Sequence, residues 1–448
     1  MMPGSSESEV QCAMPFGSPC AGQTTSRFHG ESKSLMKVLH VNQYYAPVGG
    51  AECYLYEISE HLLRCGVDVA VAYAVRTGRE FHVPGREEVH LECLGHCEGV
   101  SAAERGERIR CVVDAIDPDI IQVHQLDDPA TLELLVTLRP TVQFVHAHSG
   151  HFCPGDGKFY RRGATRCSRS FGLYCLVAPY WHRCGRRHPR RLITHVMAVH
   201  RWLKVAPRLS RVIVASQYMR SELIRAGLAP SHIVVNPIGV DVMQNGAGEP
   251  ESPTDEAIIL FVGRLYEAKG PQILLAALER LGAPCRAIFV GDGPLLARLK
   301  ERAERLAPDR DIEFVGWVDR SRLGDFYRRA RVVVIPSIWP EPFGMVGVEA
   351  MAYGKPVVAF DVGGVAEWLK DGQNGFLIPA NDVSHLAAAI ERLLVDAALC
   401  REMGRRARSL AVQQFNIERH LDALLHIYAQ AMETLIDGPM NLDRVESI

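Results

Sequence analysis

From Met36 onward, short unbroken apolar runs alternate with stretches whose apolar residues recur at helical spacing. The runs at 38–42, 67–73, 120–124, 142–146 and 212–215 read as strands. Helical patterns fall at 51–64 and near 102–116, 129–138, 192–206 and 217–226. Continuous Val/Ile/Leu runs separated by helices predict a parallel sheet covered on both faces. A second series of the same kind begins near residue 256, with strands at 258–262, 287–291, 312–315, 332–335, 357–360 and 376–378. Helices fill its gaps at about 270–281, 294–306, 321–329, 345–353 and 384–395. Between the series, Val235-Asn-Pro-Ile-Gly-Val-Asp241 carries turn residues and a proline and reads as a hinge.

The predicted fold class is therefore α/β, with two doubly wound, Rossmann-like domains facing one another. We expect a tail at 1–35, a first domain at 36–235, a second at 236–412, and a terminal segment at 413–448 whose long amphipathic helix (416–436) crosses back to the first domain. Met36 reads either as the true start or as the first ordered residue after a native tail. Ligands of such sheets sit beyond the carboxyl ends of the strands, which makes the inter-domain cleft the expected site.

Composition narrows the class. The 448 residues are 47% hydrophobic and 23% charged, with 50 Lys plus Arg against 52 Asp plus Glu. This excludes a wholly disordered chain and argues against a dedicated nucleic-acid binder. No run approaches the roughly 20 apolar residues of a spanning helix, and 1–35 has no apolar signal-like core, so a cytoplasmic protein is expected. Thirteen cysteines are too sparse for a disulfide scaffold.

The most informative stretch is Pro340-Glu-Pro-Phe-Gly-Met-Val-Gly-Val-Glu-Ala-Met-Ala-Tyr-Gly-Lys-Pro-Val-Val358, which follows a strand and opens a helix near Gly344. Gly344 lets backbone approach a ligand closely. The amides of Phe343, Gly344 and Met345 at the helix start form an anion site. Glu341, before the helix, can reach a sugar hydroxyl, and Glu349, inside it, a ribose, since a carboxylate accepts from vicinal hydroxyls.

This Glu-x7-Glu element, with its downstream Ala-x-Gly-x-Pro-Val, resembles glycosyltransferase family 4, the retaining nucleotide-sugar transferases of the GT-B fold. The resemblance extends over nearly all of the chain from Met36 to about 430. It implies that Glu341 holds the donor sugar and Glu349 the ribose. Gly263-Arg-Leu-Tyr-Glu-Ala-Lys-Gly270 resembles the family's Gly-Arg-Leu-x-x-x-Lys-Gly, so Arg264 and Lys269 would neutralise the departing diphosphate. No catalytic metal or other cofactor is then expected. Gly291, in Val290-Gly-Asp-Gly-Pro294, would border the nucleotide, and backbone near Trp317 and Val318 would read the base. Pro47-Val-Gly-Gly-Ala-Glu52 matches the family's glycine-rich loop, with Gly49 and Gly50 approaching the donor phosphates or the acceptor. His124, at a strand terminus, would contact the transferred sugar, with His146 and His148 as second candidates.

The resemblance implies transfer of a sugar from a nucleotide diphospho-sugar, UDP- or GDP-linked, to a glycan or lipid-linked acceptor in cell-surface polysaccharide biosynthesis. Competing readings are a nucleotide-sugar 2-epimerase of the same fold and a catalytically silent sugar-nucleotide binder.

An insertion at 149–211 exceeds what a minimal first domain requires. Cys153, Cys167, Cys175 and Cys184 are separated by 13, 7 and 8 residues, with His148, His151 and His182 nearby. None forms a Cys-x2-Cys pair, so structural zinc is a weak reading set against scattered free thiols. Residues 158–211 hold 14 Lys or Arg and no Asp or Glu. With Trp202, Val196 and Val199 interleaved, the segment reads either as a surface for an anionic membrane on the inner face of the plasma membrane, or as a basic cleft wall. No nucleic-acid partner is expected.

Overall fold

The structure, a computed structural model, describes residues 36–46, 49–78, 80–81, 86–95, 100–241, 256–306 and 311–436. The expected tail at 1–35, Pro47 and Val48 of the glycine loop, and 437–448 lie outside the described residues.

The first half carries strands β1 (Lys37–Tyr44), β2 (Asp68–Val75), β3 (Glu87–His90), β4 (Ile120–Val123) and β5 (Thr141–Phe144). A short antiparallel hairpin, β6 (Phe159–Tyr160) and β7 (Thr165–Arg166), lies in the insertion, followed by β8 (Arg211–Val214) and β9 (Ile233–Val235). All but the hairpin form one parallel sheet in the order β3-β2-β1-β4-β5-β8-β9. Its helices are α1 (Gly50–Arg64), α2 (Ala102–Ile116), α3 (Pro129–Leu138), α4 (Ala178–His182), α5 (Pro189–Val205) and α6 (Gln217–Arg225). Local chemistry fixes several starts. Ser101 accepts from the Glu104 amide at the start of α2, and Pro189 opens α5, where its missing N–H costs nothing.

The second half repeats the plan. Strands β10 (Ile258–Val262), β11 (Arg286–Val290), β12 (Asp311–Gly316), β13 (Val332–Ile335), β14 (Val357–Phe360) and β15 (Gly375–Ile378) form a parallel sheet ordered β12-β11-β10-β13-β14-β15. Its helices are α7 (Pro271–Leu278), α8 (Leu296–Leu306), α9 (Arg320–Arg329), α10 (Met345–Ala352), α11 (Val365–Trp368), α12 (Val383–Val395) and α13 (Ala397–Gln414). Every residue of β4, β5, β13 and β14 is buried, which is why β13 and β14 read as unbroken apolar runs, while β4 and β5 carry the buried polar residues Gln122, Thr141 and Gln143.

A last helix, α14 (Ile417–Ile436), lies on the first sheet. Tyr428 donates to Gln122 of β4, and His420 bonds Tyr54 of α1 at 2.8 Å. The sequence-predicted hinge is strapped to the start of this helix: Val240 N donates to Phe415 O at 2.8 Å and Ile417 N to Val240 O at 3.1 Å. One apolar cluster, including Tyr54, Ile58, Leu260, Trp368, Leu424 and Tyr428, joins both halves. Among the described residues no helix is long and apolar enough to cross a membrane.

The sequence pattern did not reveal β3, β9 or α13. Strand β3 is Glu-Glu-Val-His at a sheet edge, with no fully buried residue, so it lacks the apolar run. Helix α13 buries only Cys400, Met403, Gly404, Ala407 and Ala411, a stripe of small residues with weak apolar contrast.

Candidate active site

In each sheet the strand order reverses beside the first strand, at β1/β4 and at β10/β13. The loops leaving these strands carry the expected motifs, and the structure brings them face to face. A Cβ on Gly50, at the start of α1, would lie 4.0 Å from Met345 Sδ, at the start of α10. Two helix N-termini thus point into one gap, each presenting partial positive charge. Gly344 caps α10 with φ 94° and ψ 59°, a left-handed conformation that disfavours side chains. A Cβ on neighbouring Gly347 would stand 2.1 Å from the Trp368 ring, so glycine there is a packing requirement. Among the described residues, the amides of Phe343, Gly344 and Met345 donate to no acceptor, which leaves them for a ligand. The Phe343 side chain packs on Phe415, and its carbonyl accepts from Trp368 at 2.7 Å.

Glu341 is 3% exposed. Its Oε1 accepts from Lys269 Nζ at 2.6 Å and from Ser337 Oγ at 2.6 Å. No partner among the described residues occupies Oε2, so one oxygen is available to a sugar hydroxyl. The Lys269 ammonium also lies 5.4 Å from the centre of the Trp339 ring. Arg264 is exposed, stacks over Tyr266 at 5.1 Å and forms no ion pair among the described residues. Across the gap, Glu52 in the first turn of α1 senses its charge, although burial raises the Glu52 carboxyl above its ordinary value.

Glu349 departs from expectation. Its Oε2 accepts from Tyr327 at 2.8 Å and its Oε1 from Arg320 at 3.2 Å. Arg320 simultaneously binds Glu57 of α1. Burial drives Glu57 up to about 7, opposed by Arg320. The carboxylate expected to hold a ribose therefore anchors a bridge between the halves, and a ribose would share oxygens already in use.

His124 is not on the cleft wall. It is fully buried, because its amide bonds Val41 O at 3.0 Å, keeping it in line with the sheet and turning its ring under α1. Its Nε2 lies 3.0 Å from His40 Nδ1 and its Nδ1 lies 3.1 Å from His146 Nε2. The half-buried His146 is the member of this chain that reaches toward solvent. Burial holds all three well below the ordinary imidazole range, so they are neutral at pH 7. His40 Nε2 is buried without a partner. An orphaned N–H costs more than an orphaned acceptor, so the chain donates from His40 toward His146 and leaves an Nδ1–H on His146. His148 is buried against Tyr218 OH at 2.9 Å and the Trp339 ring at 5.9 Å.

Gly291 adopts φ +134°, and a Cβ there would meet Gly263 O at 2.0 Å. Its work is to let the β10 and β11 loops abut. Trp317, beyond the carboxyl end of β12, is 56% exposed, and Val318 beside it is half-buried. The four cysteines of the insertion are free thiols, and among the described residues no group of three or more His, Cys, Asp or Glu is arranged for a metal ion.

The halves are also tied by Glu367, which accepts from the Gln217 and Tyr218 amides at 2.8 Å each. Ser216, the cap of α6, donates to Pro342 O. Glu367→Ala strips α6 of two amide acceptors and should cost about 0.5–2 kcal/mol. A lowered urea midpoint at unchanged m-value is the expected result.

Sequence reasoning missed Glu57, Arg320, Tyr327 and Ser337, and read the segment ending at Glu367 as structural. Apart from Ser337, four residues before its partner Glu341, they act through partners distant in the chain, and local spacing carries no signal of that. Glu52 stood inside a quoted motif and was passed over beside its glycines.

The profile of the group described as "Glycosyl transferases group 1" matches residues 245–410, and that of "Glycosyltransferase Family 4" matches 48–244. A glycogen synthase of Mycobacterium tuberculosis is 32% identical over 411 residues, covering 88% of this chain and 95% of its own length. A D-inositol 3-phosphate glycosyltransferase 2 of Catenulispora acidiphila is 34% identical over 253 residues, 52% of this chain and 58% of that protein. With relatives of this second kind, the match spans little more than half their length. Anabaena HepE, solved in complex with UDP and glucose, superposes with a TM-score of 0.65 at 23% identity, over 90% of this chain and 99% of that one. With two facing parallel sheets, the site at both points of strand reversal and matches over nearly its whole length, this chain belongs to glycosyltransferase family 4, the group 1 glycosyl transferases, and has the GT-B fold.

Proposed function

We propose that the protein transfers a sugar, with retention of configuration, from a nucleoside diphosphate sugar to a hydroxyl of a glycan or lipid-linked acceptor in cell-surface polysaccharide biosynthesis. The observation that carries this reading is the convergence of the α1 and α10 N-termini with Arg264, Lys269 and Glu341. That arrangement suits a diphosphate joined to a sugar. The UDP and glucose bound by Anabaena HepE support a UDP-sugar donor, with GDP as the second candidate.

In the reaction, the bond between the anomeric carbon and the phosphate oxygen breaks, and its electron pair leaves with the diphosphate. The acceptor oxygen bonds the anomeric carbon on the same face, and its proton passes to the departing phosphate oxygen. Arg264 and Lys269 neutralise the charge that develops there. Glu341 Oε2 orients a donor hydroxyl, and His146 Nδ1–H can donate to the sugar. Glu349 bounds the ribose side. Trp317 and Val318 flank the base, and Gly49, Gly50 and Gly291 admit backbone near the nucleotide. The reading needs no resident cofactor, and it places the enzyme in the cytoplasm.

A thermal-shift panel of nucleotide sugars, followed by anomeric assignment of the product by NMR, tests this. A cognate donor at 100 times Kd adds about 2.7 kcal/mol of stability. A panel in which no nucleotide sugar raises Tm and none is turned over would reject the proposal, and an epimerised donor without acceptor would convert it to the 2-epimerase reading.

A further inference from the structure

The exposed large apolar side chains are not scattered. Of the ten on the described surface, seven lie between residues 173 and 197. Leu173 is 86% exposed, Trp181 71%, Met197 65% and Val177 56%. Two elements present them. One is the turn of 3₁₀ helix at Leu173–Leu176 running into α4, and the other is the outer face of α5, and the two are in contact. On α5, Leu192, Val199, Trp202 and Val205 face the core, which sends Ile193 and Met197 outward. The two elements pack on one another, and solitary exposed apolar residues would need no such account.

Its rim has one sign. Arg183, Arg186, Arg187, Arg190 and Arg191 are exposed, and none forms an ion pair among the described residues. Asp127 acts on His195 of α5, and Glu133 of α3 packs on the same helix. Glu133 takes Arg201 and Arg208, both toward the far end, and leaves the arginines beside the patch uncommitted. The other carboxylates of this region are also engaged: Asp156 binds Arg161, and Glu222 binds Lys158 and Arg166.

We propose that this face is a docking surface for an anionic lipid bilayer, with the 173–182 turns and the outer side of α5 inserted at headgroup depth. Charge selects the occupant. A purely electrostatic site for a soluble polyanion has no use for an exposed Trp181 and Leu173, and a second copy would have to place five unpaired arginines against five others. Apolar side chains ringed by cations match a negatively charged interface with an acyl interior. The apolar residues lie on the half that carries the acceptor side of the proposed reaction, but docking is read without turnover, so it stands or falls separately from the transfer.

The test is sedimentation of the full chain with vesicles of phosphatidylcholine alone and of phosphatidylcholine mixed with phosphatidylglycerol, at low and high salt. Binding is expected to the mixed vesicles at low salt and to be weak on the neutral ones. With each cation near the surface contributing about fivefold, Arg186→Gln with Arg187→Gln should weaken partitioning roughly 30-fold. Leu173→Ser with Trp181→Ser should weaken it at least about tenfold, since two of the five exposed large apolar side chains of these turns are lost. Circular dichroism melts identify any variant that fails to fold. Independently of variants, brominated acyl chains should quench tryptophan fluorescence of the wild-type protein. No sedimentation with mixed vesicles at low salt overturns the proposal. So does heparin binding that matches vesicle binding and survives Leu173→Ser with Trp181→Ser, or self-association that those changes abolish.

Discussion

Lys269→Ala should lower kcat on the order of 10²–10³-fold, the usual consequence of removing one preorganised group from a site of developing charge. Lys269 is singled out over Arg264 because of where its ammonium is held. It is fixed between Glu341 Oε1 at 2.6 Å and the Trp339 ring, on a side chain that is only 25% exposed. Arg264 is exposed and pinned only by Tyr266, so it has conformational freedom to lose before it helps. Arg264→Ala should therefore cost less than Lys269→Ala. A structural role for Lys269 predicts something else, because removing it leaves a buried Glu341 with Ser337 as its one remaining donor. That loss is worth about 1–3 kcal/mol of stability. The two roles separate in Glu341→Gln, which preserves shape and a hydrogen bond to Lys269 or Ser337. Stability should hardly change, while kcat with the donor identified by thermal shift should fall at least about tenfold as a charge-assisted acceptor becomes a neutral one. If Lys269→Ala leaves turnover within a factor of about two, the leaving-group assignment is wrong, whatever its effect on Tm.

The fold was legible where burial is two-sided. Strands β13 and β14 are buried throughout and uniformly apolar, and β4 and β5, equally buried, stay mostly apolar around Gln122, Thr141 and Gln143. Edge strand β3 and the small-residue stripe of α13 carry no such contrast. In the site, Gly344, Lys269 and Glu341 could be found because they sit on two short segments with fixed local spacing. His124 was misplaced because a strand terminus was taken to mean the cleft. The last residue kept in sheet register turns its ring inward, and the next strand delivers His146 to the opening instead. The role of Glu349 was also hidden, because its partners Tyr327 and Arg320 lie on another helix and their link onward to Glu57 crosses the two halves.

Acidification should unfold the protein cooperatively between about pH 6 and 4.5, well above the range where ordinary carboxylate protonation would do so. The reason is the number of imidazoles buried in neutral form. Burial holds His40 and His148 down to about 3 and His151 and His420 to about 4, with Arg86 adding to His40 and Lys158 and Arg166 to His148. His124 and His146 are lowered by burial and by neighbouring imidazoles. In the unfolded chain each would titrate near 6.5. Below that pH the unfolded chain binds protons that the folded one refuses, so stability is complete above about 6.5 and is lost as pH falls. Each group contributes at most about 1.4 kcal/mol per pH unit. Over one and a half units the four histidines at 3 to 4 already reach the order of 8 kcal/mol, comparable to the whole stability of an ordinary domain. Three carboxyls act in the opposite sense. Glu57, raised to about 7, and Glu52 and Asp127, raised by burial, bind protons more readily when folded and so offset part of the loss. Six histidines outweigh three carboxyls. Urea midpoints measured at pH 7.5, 6.5 and 5.5 should therefore fall, steeply in the last interval. His420→Gln should reduce the pH slope by about one proton, since its ring is held by Tyr54 and the Pro237 carbonyl, partners that an amide can also satisfy. A midpoint that stays flat from pH 7.5 to 5.5 would mean that these imidazoles are charged in the folded protein, and the donor direction assigned to the His40–His124–His146 chain would fall with it.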